Sequence, residues 1–180
     1  MLLQLRECRI RDLHLDDAPA IARHVDYPAI SSKLRDLFPS PYSQEDARNF
    51  IRHVNSETPR IAFAIATDKE AFGVIGYITG QDVYRFSAEV GYWVGEIYWG
   101  RGIMTEAVKA FSNYLFETCE FNRLFAGVFS SNPASARVLE KAGYIREGIL
   151  PCHVTKNGEL LDEHLYARLR PTLPISNVTK

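Results

Sequence analysis

The chain has 180 residues, 46% hydrophobic and 24% charged, with 21 lysines and arginines against 22 aspartates and glutamates for a net charge of -1. That length supports one substantial core rather than two, so a single domain over 1–180 with one active site and a short tail from about 170 is expected. The charge balance leaves no footprint for a nucleic-acid partner. No run approaches the length of a membrane span, and the stretch MLLQLRECRIRDL carries charges where a signal peptide needs an unbroken apolar segment, so a cytoplasmic protein with no membrane partner is expected. The three cysteines, Cys8, Cys119 and Cys152, include no CxxC pair, which speaks against a disulfide framework and a metal site alike.

In chain order, Gln4 to Leu13 reads as a strand, and Asp16 as the cap of a helix running to about Val25 with Pro19 in its first turn. The segment from Asp26 to Ser43 is broken by Pro28, Pro39 and Pro41 and predicts a loop with one short helix around Lys33 to Leu37. Ser43, with Asp46 three residues on, predicts a capped helix whose Phe50, Ile51 and Val54 face inward. Arg60 to Ala66, Phe72 to Thr79 and Arg85 to Val94 predict an antiparallel meander. Ile103, Ala107, Val108, Phe111 and Leu115 then recur at helical spacing, followed by a strand from Arg123 to Ser130. A second capped helix begins at Asn132 and ends at Gly143. Tyr144 to Ile149 and Leu160 to Leu169 complete the set, with Asn157-Gly158 favouring a tight reversal. The order is that of a mixed α/β domain.

The segment GYWVGEIYWGRGIMTEAV leads from the third meander strand into a helix through Gly100, Arg101 and Gly102. Glycines allow close backbone approach, and the first amides of a helix carry the positive end of its dipole, so a phosphate pair suits the place and Arg101 adds a full charge. A glycine-rich helix start is also a common tight connection, and both readings stand at this point. The P-loop spacing is absent, and the dinucleotide fingerprint needs glycine where Thr105 stands, so neither nucleotide fold is indicated.

About thirty residues downstream comes SSNPASARVLEKAGYIREG. WGRGIM together with NPASARVLEKAGY resembles the GNAT acetyltransferase superfamily, and AEVGYWVG, WGRGIMTEA, Asn132 and Ser135 resemble its branch of ribosomal-protein N-terminal acetyltransferases, of the Rim type. The resemblance covers nearly the whole chain. It implies a mixed, mostly antiparallel sheet of about seven strands, splayed between the fourth and fifth and flanked by helices. It also implies acetyl-CoA as cosubstrate, no metal, a monomer or homodimer, and direct transfer to a primary amine, with a protein N-terminal α-amine first in line. Acetylation of a small amine such as a polyamine, amino acid or antibiotic, and a non-catalytic acyl-CoA sensor, stay open.

On that resemblance the pyrophosphate falls on the amides of Arg101, Gly102, Ile103 and Met104, with Trp99, Gly100 and Thr105 completing the segment. Tyr92, Trp93 and Val94 meet the pantetheine arm, and Asn132 anchors its far side. Two positions depart from the pattern: Trp99 stands in place of its first Gln or Arg, and Met104 in place of its last Gly or Ala. A third departure concerns chemistry, because Leu139 occupies the place where many members carry an acidic tyrosine. The resemblance moves the duty toward the leaving thiolate to Ser135.

Transfer also requires a base for the amine, a polarised carbonyl and a hydrogen bond to the departing sulfur. Glu89, alternating with Gly91 and Trp93 on one strand face, is the expected base; a salt-bridged strand glutamate is the other reading. Asp162, Glu163 and His153, in the last segment, are expected to bind a cationic amine or relay its proton. Phe38 and Tyr42, in the first loop, are expected to shape the acceptor site.

Overall fold

The computed structural model of the protein describes residues 2–171. The tail expected from about 170 therefore lies almost wholly outside the described residues.

The predicted first strand is two. β1 (Leu2–Gln4) and β2 (Arg9–Arg11) pair antiparallel because the chain reverses between them, with the Leu5 amide donating to the Cys8 carbonyl at 2.8 Å. The helix start also differs. A 3-10 turn at Leu15–Asp17 precedes α1 (Ala18–Val25), and Asp17 rather than Asp16 organises it, accepting from the His14 amide at 2.9 Å. No helix forms at Lys33 to Leu37. α2 (Pro28–Ser31) comes earlier instead, started by Pro28, whose fixed φ suits the first helical position. α3 (Gln44–Ser56) has the expected capping box, with Ser43 Oγ accepting from the Asp46 amide at 3.1 Å and the Asp46 carboxylate accepting from the Ser43 amide at 2.9 Å.

The meander is β3 (Ala62–Ala66), β4 (Ala71–Thr79) and β5 (Ser87–Val94). β5 begins two residues later than expected because Asp82–Tyr84 winds into a 3-10 turn. Then follow α4 (Ile103–Thr118), β6 (Arg123–Phe129), α5 (Pro133–Lys141), β7 (Ile145–Lys156) and β8 (Glu159–Leu169). Asn157 and Gly158, both at positive φ (52° and 82°), make the β7–β8 reversal. Gly143, at φ 92°, follows α5 as a left-handed stop.

The eight strands form one sheet in the order β1-β2-β3-β4-β5-β6-β8-β7, antiparallel except between β5 and β6. The eighth strand arises from the division of the first run. Strand alternation decides what each face buries. Phe63 and Ile65 of β3 join Ile75, Val90, Leu124 and Leu139 beneath α4, whose Ala107, Val108, Phe111 and Leu115 point into that cluster. Ala62, Ala64 and Ala66 turn the other way and, with Trp93, pack against Ile21, Val25, Ile51 and Val54 of α1 and α3. Among the described residues no helix is long and apolar enough to cross a membrane.

Candidate active site

β5 and β6 share only three register pairs, Ser87 with Arg123, Ala88 with Leu124 and Glu89 with Phe125. Beyond Glu89 each strand keeps its outer neighbour: β5 follows β4 as far as Val94, and β6 follows β8 as far as Phe129. The two strands therefore diverge, leaving a gap whose β5 side is Gly91 to Val94. This is the expected splay, and α4 and α5 start beside it.

The turn from β5 into α4 is held in shape from behind. Trp99 donates its indole N–H to the Val94 carbonyl at 2.9 Å, and Tyr98 stacks on Phe72 with ring centroids 3.8 Å apart. Gly100 and Gly102 have φ values of 73° and 77°, in the region that favours glycine, and a Cβ at either would meet nothing within 4 Å. Gly102 is the N-cap of α4, so the first amides after it have no partner within the helix. Ile103 and Met104 bury their side chains in the core while Thr105 stays half-buried. Left-handed glycines, open space in front and unpartnered amides behind fit a phosphate-bearing ligand. Arg101 stands beside the turn, paired with Glu7 from the β1–β2 reversal. The same reversal touches α4 again where the Arg6 amide donates to Glu106 at 3.0 Å. Cys8 lies buried below it, and burial, with the charges of Glu106 and Glu7, pushes its thiol up to about 11, so it stays a packing residue.

Across the gap, Asn132 caps α5 by accepting from the Ser135 amide at 3.2 Å. Tyr92 of β5 reaches Ser135, its hydroxyl 2.9 Å from Ser135 Oγ. Leu139, one turn further along α5, is fully buried. Trp93 buries its side chain with α1 and α3, so Tyr92 and Trp93 leave β5 on opposite faces.

On the Trp93 face, Glu89 is ion-paired with Arg35. Arg35 also lines a cleft of about 330 Å³ with Asp36, Phe129, His153, Val154, Thr155, Lys156 and Glu163. Charges there come in pairs: Lys156 with Asp36, and His153 Nε2 at 3.5 Å from Glu163 Oε2. His153 is exposed at the cleft wall. Asp162 does not line the cleft; its carboxylate accepts from the Cys152 amide at 2.9 Å, where β7 shifts register against β8. Phe38 and Tyr42 sit together with ring centroids 6.1 Å apart, and Tyr42 is buried in the α1–α3 cluster, where burial pushes its phenol up to about 12. Among the described residues there is no group of three or more His, Cys, Asp or Glu able to hold a metal ion.

Arg35, Asp36, Phe129 and Lys156 were not singled out by the sequence. Lys156 and Asp36 are 120 positions apart, a separation that no local pattern spans. Glu163 and Asp162 are adjacent, and alternation sends them to opposite faces, but only the pairing of β8 with β6 says which one faces the cleft.

Residues 8–145 match the acetyltransferase (GNAT) domain family. Among curated proteins, an uncharacterized N-acetyltransferase of Bacillus licheniformis, p20, is 26% identical over 167 residues, covering 89% of this chain and 92% of its own. The ribosomal-protein-serine acetyltransferase of Escherichia coli is 32% identical over 107 residues, 59% of each chain. Among solved structures, RimL, a ribosomal-protein α-N-acetyltransferase in complex with coenzyme A, superposes with a TM-score of 0.80 at 22% identity, covering 94% of this chain and 98% of that one. At that identity the superposition speaks for the fold alone. With the family match spanning most of the chain, the protein belongs to the GNAT acetyltransferase family and is an acetyl-CoA-dependent N-acetyltransferase.

Proposed function

We propose that the acceptor is a protein N-terminal α-amine. The observation that carries this reading is the charge pairing of the cleft lining: Asp36 with Lys156, Glu163 beside His153, and Arg35 with Glu89 of the adjoining strand. A polyamine calls for a blind pocket with surplus negative charge. An open cleft of matched pairs suits the end of a peptide, whose amine needs a carboxylate while its backbone needs donors and acceptors. The names of two relatives, a ribosomal-protein-serine acetyltransferase and a ribosomal protein uS5-alanine N-acetyltransferase, point the same way. A cytoplasmic location goes with this reading.

The donor half is assigned with it. The amides of Arg101, Gly102, Ile103 and Met104 hold the pyrophosphate, with Gly100, Trp99 and Thr105 shaping the segment. The Tyr92 to Val94 edge and Asn132 hold the pantetheine arm between them. Glu89, directly or through water, takes the proton of the amine, and Ser135 serves the sulfur. His153 lines the acceptor path, Asp162 fixes the strand that carries it, and Phe38 with Tyr42 underpins the loop bearing Arg35. The domain assignment is one catalytic unit over 1–180, acting as a monomer or homodimer.

The test is a mass-spectrometric acceptor screen with acetyl-CoA, peptides of differing N-terminal residue, and polyamines. Acetylation confined to peptide α-amines is the expected result. Acetylation of spermidine with no peptide modified overturns it.

A further inference from the structure

We propose that Tyr92 is a positioning residue for thiolate departure: its phenol holds the Ser135 hydroxyl so that the hydroxyl's own hydrogen points at the sulfur of the acetyl donor. This rests on the reading of Ser135 as the group that serves the sulfur.

The Tyr92 hydroxyl crosses from β5 to the first turn of α5, 2.9 Å from Ser135 Oγ and 3.3 Å from the Ser135 carbonyl oxygen. A phenol has one hydrogen to give. The Ser135 carbonyl lies inside α5, where it already accepts from the amide four residues on, so Oγ is the partner in need and the nearer one. A hydroxyl that accepts from Tyr92 keeps its own hydrogen for a third group. The Ser135 backbone is held as well, because its amide donates to Asn132 at 3.2 Å. Burial raises the Tyr92 phenol above its ordinary range, against a smaller lowering from Ser135 itself, so the phenol stays a donor throughout the neutral range. Leu139 is fully buried and aliphatic and offers no alternative from the same helix.

In the transfer the neutral amine nitrogen forms its bond to the thioester carbon and gives one proton to the base. The C–S bond breaks and its electron pair leaves with the sulfur. The thiolate accepts a hydrogen bond from Ser135 and later takes a proton from water. Tyr92 loses no proton at any point. Its contribution is that the Ser135 donor is already aimed when charge develops, which avoids reorientation at that moment.

The test compares wild type, Tyr92→Phe, Ser135→Ala and the double variant. Thiol release is followed with a peptide bearing a free N-terminal serine, and separately as slow hydrolysis of acetyl-CoA without an amine; coenzyme A affinity is measured by calorimetry. Hydrolysis needs the same departing sulfur, so the comparison survives if the peptide reading fails. Each single variant should lose about tenfold in saturated turnover with coenzyme A affinity changed less than about threefold, and the double variant should be no slower than the slower single. Wild-type turnover in Tyr92→Phe, losses that multiply, or a loss confined to affinity would each overturn the proposal. Difluorotyrosine at position 92 keeps the shape but makes the phenol more acidic. It should move the alkaline decline of turnover to lower pH, and an unmoved profile counts against the proposal.

Discussion

Arg35, in the segment between α2 and α3, closes an ion pair on Glu89 at the last register position that β5 shares with β6. The first loop is thereby tied to the point where the sheet opens. With Glu89 as base, Glu89→Gln keeps size and hydrogen bonding but loses basicity, and turnover should fall about 10²- to 10⁴-fold. Coenzyme A affinity should hardly move. Thiol release at saturating substrates checks it, and a variant with the wild-type rate and pH profile would make Glu89 only the strand partner of Arg35.

At the glycine turn, Gly102→Val should weaken coenzyme A binding strongly. A β-branched residue is strained at a φ of 77°, and its side chain would occupy the open space in front of the turn. Calorimetric titration of a folded variant decides the matter, and unchanged affinity removes the pyrophosphate from this turn.

The pairing of Arg101 with Glu7 gives a prediction of opposite sign. Arg101→Ala removes one charge-assisted contact to phosphate and should cost roughly tenfold in affinity. Glu7→Gln removes the competitor for that guanidinium and should tighten binding a few-fold at low salt, with the gain shrinking as salt rises. Weaker binding in Glu7→Gln would show that the pair holds the turn in shape instead.

Asp17 carries a stability prediction. Burial works to raise its carboxyl, but the hydrogen bonds from Arg11 and the His14 amide, together with the Arg11 charge, leave it below its ordinary value. Two Arg11 nitrogens lie 2.7 and 2.8 Å from its oxygens. A depressed carboxyl contributes its stability above the unfolded-state pKa of about 4 and loses it as pH falls further. Asp17→Asn should cost about 1.5 to 3 kcal/mol at neutral pH and flatten the acid side of the stability profile. Urea melts between pH 3 and 7 would reveal it, and an unchanged slope below pH 4 refutes the assignment.

The longer helices and the meander were legible because their signals are local: the Ser43 capping box, the 3.6-residue spacing in α4, the Asn157-Gly158 reversal. The glycine turn was legible for the same reason. The first strand was misread because Gln4 to Leu13 holds no glycine or proline to mark a turn, and only the Leu5 to Cys8 hydrogen bond shows the chain folding back. Of the charged cleft, His153 and Glu163 were named from the sequence but Arg35, Asp36, Phe129 and Lys156 were not, because it is assembled from the α2–α3 segment, β6, β7 and β8, whose residues meet through sheet order. Tyr92 was marked for the backbone of its strand. Its side-chain contact with Ser135 depends on how far β5 stands from α5, a distance written in neither segment.

The three-pair seam between β5 and β6 has a mechanical consequence. β1 to β5 form one bonded plate and β6 to β8 another, and the ladder joining them covers only the residues from Ser87 to Glu89 and Arg123 to Phe125. Past that hinge, a ligand hydrogen-bonded to both edges acts as a rivet. Donor binding should therefore slow amide exchange on the facing edges of both plates together, and the chain should respond to the donor as one stiffer body before any amine arrives.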